Sequence, residues 1–186
     1  MHPALPARPG PWTVEDLLAL PEDTHRRIEL VGGSLLLTPH PDVPHQRAAT
    51  RLGALLASAL TATDAPFEAL PAVNVLVPDG LLIPDLVVVD AAAAAEAGST
   101  LHADDVVVAV EIASPSTSVI DRRTKPGLYA AAGIPHYWRL DLAPAPRLHL
   151  GRLSDGDYVD RTVQPGESTA LTEPFRLELD LAVLLR

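Results

Sequence analysis

The strongest constraint on this chain's fold is a pair of near-continuous β-branched runs, LVVVD (86–90) and DVVVAVEIA (105–113). A strand with one wet face alternates apolar and polar residues, whereas a run apolar at every position is covered on both faces. Strands of that kind sit in the middle of a sheet with helices packed against it. The expected class is therefore α/β, a mixed central β-sheet flanked by helices, with 84–90 and 105–113 as its middle strands. The 186 residues suit one domain. Only 4% are aromatic, so Val, Leu, Ile and Ala must supply the core.

The remaining elements arrange themselves around those two strands. Residues 1–11 are Pro-rich and read as a loosely docked or disordered arm, leaving 12–186 as the single domain. Thr13 followed by Asp16 reads as an N-cap with an acidic first turn, opening a short helix that stops before Pro21. RRIELV, Gly32-Gly33 and SLLLT read as a β-hairpin. Leu52, Leu55, Leu56 and Leu60 recur at helical spacing within 43–61. AVNVLV (72–77) alternates as a strand does, and AAAAAEAGST is one short helix or a loop. Residues 119–132 read as a helix ending at Gly133, although Pro126 and Gly127 weaken it. HYWRLDL, PRLHLGRL and DYVDRT read as three strands, and LELDLAVLLR as a closing helix.

Charge and composition exclude several function classes. A net charge of −10 opposes broad nucleic-acid binding, which relies on Lys and Arg at phosphates. A local basic surface is still available in DRRTK, through Arg122, Arg123 and Lys125. The absence of cysteine removes disulfides, thiolate nucleophiles and Cys-type zinc sites. No apolar run approaches the ~20 residues needed to span a bilayer. MHPALPARPGPW lacks a continuous apolar signal core, so a cytoplasmic protein without membrane association is expected.

Asp85 follows Pro84 at the start of one buried strand, and Glu111 stands near the end of the other. Carboxylates on adjacent buried strands repel unless a cation lies between them or one is protonated. A hard divalent ion such as Mg²⁺ would answer that need, with the backbone carbonyl of Ile112 as a further ligand. Structural strands also end in Asp or Glu, so these two residues alone leave both readings open. Lys125 is the chain's only lysine; the other thirteen basic residues are Arg. Lysine differs from Arg where a compact ammonium, or one able to shift its pKa, is required. On a helix, Asp121, Lys125 and Tyr129 would share one face. A solvated ion pair with Asp121 and a functional ammonium are equally compatible with that spacing.

Several segments together carry a family resemblance: WTVEDLLALPED, RIELVGGSLLLTP, IPDLVVVD, VVVAVEIASPSTSVIDRRTKPGLYAAAGIPHYWRLD and the terminal LDLAVLL. The chain resembles the Uma-two family, restriction-endonuclease-like proteins of the PD-(D/E)XK nuclease superfamily. That resemblance implies a restriction-endonuclease-like fold and a Mg²⁺-dependent site, with Mn²⁺ as a substitute. It places Pro84-Asp85 on the PD element with Asp85 as a metal ligand, and Glu111 on the second acidic position. Glu29 of RIELV becomes an additional ligand or water-orienting carboxylate. The superfamily's lysine stands two residues after the second acid, where this chain has Ala113. Lys125, from the following helix, matches the position at which this family supplies it. DNA as substrate and a homodimer that cuts both strands follow by the same analogy.

Other residues read more plainly. His45 opens the long helix and matches a His of the resembling family, but reads as a solvated or capping residue. The remaining His show no HExxH-like spacing, and SPSTS (114–118) has no nucleophile-elbow pattern. Its hydroxyls read as caps for the helix carrying Lys125. Tyr129, Tyr137 and Trp138 read as core or interface aromatics. Three functions follow: an active DNA endonuclease, a catalytically inactive nuclease fold serving as a binding or regulatory module, and a metal-dependent hydrolase of a smaller phosphodiester. The −10 charge and Ala113 motivate the second, and the acidic surface the third.

Overall fold

The computed structural model describes residues 9–21, 26–113 and 118–185. Helix α1 (Val14–Leu18) starts on a capping box between Thr13 and Asp16, the expected N-terminal signal. Strands β1 (Arg26–Val31) and β2 (Ser34–Pro39) form the expected hairpin. Gly32 and Gly33 both take positive φ, which a two-residue turn of this hand requires. Helix α2 (Val43–Ala62) is capped by Asp42 and buries Ala48, Leu52, Leu56 and Leu60 along one stripe.

Next come β3 (Phe67–Pro71), β4 (Asn74–Val77), β5 (Gly80–Leu82) and β6 (Leu86–Asp90). The alanine run forms α3 (Ala91–Glu96), followed by β7 (Thr100–His102) and β8 (Val106–Ala113). The helix expected over 119–132 is two helices, α4 (Ser118–Arg123) and α5 (Lys125–Ala131). Pro126 explains the break, since it has no N–H for a continuous helix and its ring clashes with the preceding turn. Strands β9 (His136–Asp141), β10 (Arg147–Ser154) and β11 (Asp157–Val163) follow as expected. The last segment departs from expectation. LELD is a strand, β13 (Leu177–Asp180), paired with β12 (Ser168–Leu171), and only α6 (Leu181–Leu185) is helical. The alternating burial of LELD is the period of a strand. The expected capping by 114–117 lies outside the described residues, as do residues 1–8 of the arm.

The class is the expected mixed α/β, but the strands divide over two large sheets and a small one. The six-stranded sheet runs β11-β10-β9-β8-β6-β3, and the five-stranded sheet β2-β1-β5-β4-β7. Strand β8 pairs antiparallel with β6 and parallel with β9, so both β-branched runs lie inside a sheet. Their alternate residues feed two cores. Val88, Val108, Val110 and Ile112 meet Leu52, Leu56 and Trp138. Val87, Val89 and Ala109 meet Tyr129, Ile134 and Tyr137 on the other side. Among the described residues no helix is long and apolar enough to cross a membrane.

Candidate active site

The period of β1 sorts its side chains. Ile28 and Leu30 join a small core with Leu17 and Leu81, which leaves Arg27 and Glu29 facing the opposite way. They meet the end of β8, the residue before β6 and the first turns of α2 and α5 around a cavity of about 200 Å³. Glu29, Asp85, Glu111 and Lys125 all line it, so the four side chains expected to act together share one pocket. They are 0, 6, 2 and 4% exposed, respectively.

Lys125 stands at the first turn of α5, and its Nζ lies 2.8 Å from Glu111 Oε1 and 3.0 Å from Glu29 Oε1. Asp121 Oδ1 is 3.9 Å away, so the expected i,i+4 pair exists as a buried third contact. Burial disfavours the ammonium, but the three carboxylates more than offset it and hold Lys125 protonated, its pKa above the ordinary lysine value. Glu111 also accepts a 2.7 Å hydrogen bond from the Tyr129 hydroxyl. Burial pushes Glu111 up to about 8 against the pull of Lys125, with Asp85, Asp121 and Glu29 adding repulsion. Glu29 Oε1 also accepts the Ile83 N–H at 2.7 Å, while its Oε2 is buried without a hydrogen-bond partner.

Asp85 belongs to a second set of contacts. Arg27 donates to its Oδ1 at 2.8 Å, the Ile112 N–H donates to Oδ2 at 2.8 Å, and His45 Nε2 lies 3.0 Å from Oδ2. Burial would raise Asp85, but His45, Arg27 and the Ile112 N–H together hold it below the ordinary carboxylate range. One expectation is corrected here. His45 is buried against Asp85 instead of solvated, and it is its backbone N–H that Asp42 caps. Arg27 bonds both Asp85 and the Ile83 carbonyl. Sequence reasoning missed Arg27 and the hydroxyl of Tyr129 as site residues. The alternation of R27 and E29 against I28 and L30 was the available signal for the first.

The residues suit a hard cation in kind and in charge. Four buried carboxylates, Glu29, Asp85, Glu111 and Asp121, face Arg27 and Lys125 as the charged partners in the pocket. The orphaned Glu29 Oε2 and the raised Glu111 are the marks of carboxylates in excess over cations. All the donors are oxygens, the set that Mg²⁺ prefers. Among the described residues, however, no three His, Asp or Glu side chains form a ready metal cluster. Glu29 and Glu111 are turned onto Lys125, and Asp85 onto Arg27 and His45.

The sheet order and the pocket at its seam define a restriction-endonuclease-like nuclease fold. A crystal structure of "a putative nuclease belonging to DUF820" from Anabaena variabilis superposes with a TM-score of 0.77. That match is 17% identical in sequence and covers 94% of this chain and 98% of the other. Residues 14–184 match the Uma2 (Uma-two) family, described as "Putative restriction endonuclease", and the chain belongs to that family. A search among curated proteins finds no match.

Proposed function

We propose that this protein is a divalent-metal-dependent endonuclease that hydrolyses DNA phosphodiester bonds, using Mg²⁺ or, in its place, Mn²⁺. The observation that carries the reading is the buried ammonium of Lys125 held between Glu111 and Glu29, in the pocket that also holds Asp85. Asp85, Glu111 and the Ile112 carbonyl would hold the metal. Bound there, it would polarise the scissile phosphate and lower the pKa of a water. Arg27, His45 and the Ile112 N–H keep Asp85 ionised, as a ligand must be. Lys125 positions the attacking water or neutralises charge developing on the phosphoryl oxygens. Glu29 orients the water shell through its unpartnered oxygen. The water oxygen bonds to phosphorus as the ester P–O bond breaks, and the departing alkoxide takes up a proton. No covalent enzyme intermediate is needed. A homodimer would bring two such sites to opposite strands of a duplex.

One observation favours a second reading, an inactive nuclease fold acting as a binding module. Both Asp85 oxygens are already engaged by protein donors. Incubation with plasmid and with single-stranded DNA, with Mg²⁺, Mn²⁺ or chelator, separates the two. Metal-dependent cleavage that Asp85→Ala and Lys125→Ala abolish is expected. Cleavage surviving Asp85→Ala would belong to a contaminant. No cleavage together with no metal uptake by calorimetry would establish the second reading. Cleavage of small diesters but not DNA would shift the substrate class.

A further inference from the structure

A second cavity, of about 320 Å³, adjoins the acidic pocket and shares Arg27, Pro41, His45 and Asp85 with it as a common wall. Its character is different. Helix α2 presents Ala49, Gly53 and Ala54 to it, and the end of β3 with its following turn adds Ala69, Pro71 and Ala72. No carboxylate other than Asp85 lines it, and its polar rim is Gln46 and Thr50. The space depends on small side chains: a Cβ on Gly53 would come within 3.2 Å of Leu86 Cδ2. Ala72 holds φ +47, a conformation rare for alanine, and its N–H reaches the Asp85 carbonyl at 3.2 Å. His45 closes the shared end, nine-tenths buried and more, with Nδ1 lacking any hydrogen-bond partner. Its Nε2 donates to the Asp85 carboxylate, which can only accept.

From this juxtaposition we infer that the second cavity receives the nucleoside (base and pentose) next to the phosphate bound in the acidic pocket. A chamber walled by apolar groups, with the Gln46 amide, the Thr50 hydroxyl and the His45 ring at its margins, suits a flat heterocycle with polar edges. A bare phosphate would find only Arg27 there. The inference rests on the nuclease reading for the position of the phosphate.

The test uses the full chain and two probes. Thymidine 5′-monophosphate is titrated by calorimetry or NMR, and hydrolysis of its p-nitrophenyl ester is compared with that of bis(p-nitrophenyl) phosphate. Ala54→Leu fills the cavity from an exposed helical position, and Gln46→Ala removes the rim amide without adding bulk. Ala54→Leu is expected to weaken nucleotide binding and raise KM for the nucleoside ester about tenfold, the scale of a few apolar contacts. It should leave bis(p-nitrophenyl) phosphate hydrolysis unchanged, and Gln46→Ala should have a smaller effect of the same sign. A wild type that binds no nucleotide, or an Ala54→Leu variant that binds it equally well, overturns the inference. Nucleotide binding that Ala54→Leu weakens, in a protein that cleaves neither ester, would overturn the nuclease reading and keep the subsite.

Discussion

Lys125 Nζ and Glu111 Oε1 lie 2.8 Å apart, joining the first turn of α5 to the end of the central strand β8. A lysine fourteen residues after the acid thus reaches the carboxylate that the usual lysine, two residues on, would adjoin. On the proposed nuclease reading the ammonium's place in space, not its place in the chain, is what the chemistry needs.

Removing the ammonium should cost stability as well as activity. At pH 9, where Glu111 is ionised, Lys125→Met leaves Glu29 and Glu111 buried without their shared cation, a loss on the order of 3–5 kcal/mol. Thermal unfolding should fall by on the order of 10 °C. The double variant Lys125→Met/Glu111→Gln should recover much of that, because one orphaned charge disappears with its partner. An unchanged melting temperature in Lys125→Met would show that the contacts carry no net free energy.

The raised Glu111 makes the metal-free protein sensitive to pH in a defined direction. Its carboxyl moves from 4.5 to about 8 on folding, so the native state retains a proton that the unfolded state has released. Its contribution is fully present below pH 4.5 and is lost as pH rises to about 8. Lys125 shifts upward from 10.5 and adds no slope in that window. Urea unfolding at pH 5, 6.5 and 8 should show wild type losing a few kcal/mol relative to Glu111→Gln. Saturating Mg²⁺ should abolish much of the difference, since a metal held at Glu111 as proposed would bind the ionised form. Parallel stability profiles for the two proteins would refute this.

Local pattern made the strands at 86–90 and 106–113 legible, because burial on both faces leaves every position but Asp90 and Glu111 apolar. Strand β3 (FEALP) and the three-residue β5 and β7 escaped notice, being too short or too polar to display a period. In the site, Asp85, Glu111 and Lys125 stood out by type and position. Their partners did not. Arg27 and His45 reach Asp85 across 58 and 40 residues of chain, and no periodicity within an element encodes such a meeting. Residues 119–132 held the one misread boundary near the site, and Pro126 was its visible signal.

Those distant partners give a further prediction. His45 and Arg27 hold Asp85 ionised and oriented, so His45→Ala should weaken Mn²⁺ binding about 10–100-fold, the usual cost of losing a support to a metal ligand. Calorimetry reads the affinity directly, and His45→Gln, which offers a donor to Asp85, should restore part of it. Wild-type affinity in His45→Ala would show that Arg27 and the Ile112 N–H suffice.

The site also depends on a backbone contact on the far side of Glu29. Gly80 pairs with Val31 where β5 meets β1, and a Cβ there would lie 2.1 Å from the Leu30 carbonyl oxygen, at φ +151. Neither the backbone angle nor the space admits alanine, so β5 would have to move away from β1. Ile83, just beyond β5, donates its N–H to Glu29 and accepts from Arg27 at its carbonyl, so both site residues would shift with it. Gly80→Ala should therefore cost on the order of 3 kcal/mol and reduce metal affinity too. Gly127→Ala is the contrast: a Cβ within α5 meets nothing within 4 Å, and a gain of roughly 0.5–1 kcal/mol is expected. Thermal melts of both variants, with and without Mn²⁺, check the pair. A Gly80→Ala protein as stable and as metal-responsive as wild type would separate the β1–β5 seam from the site.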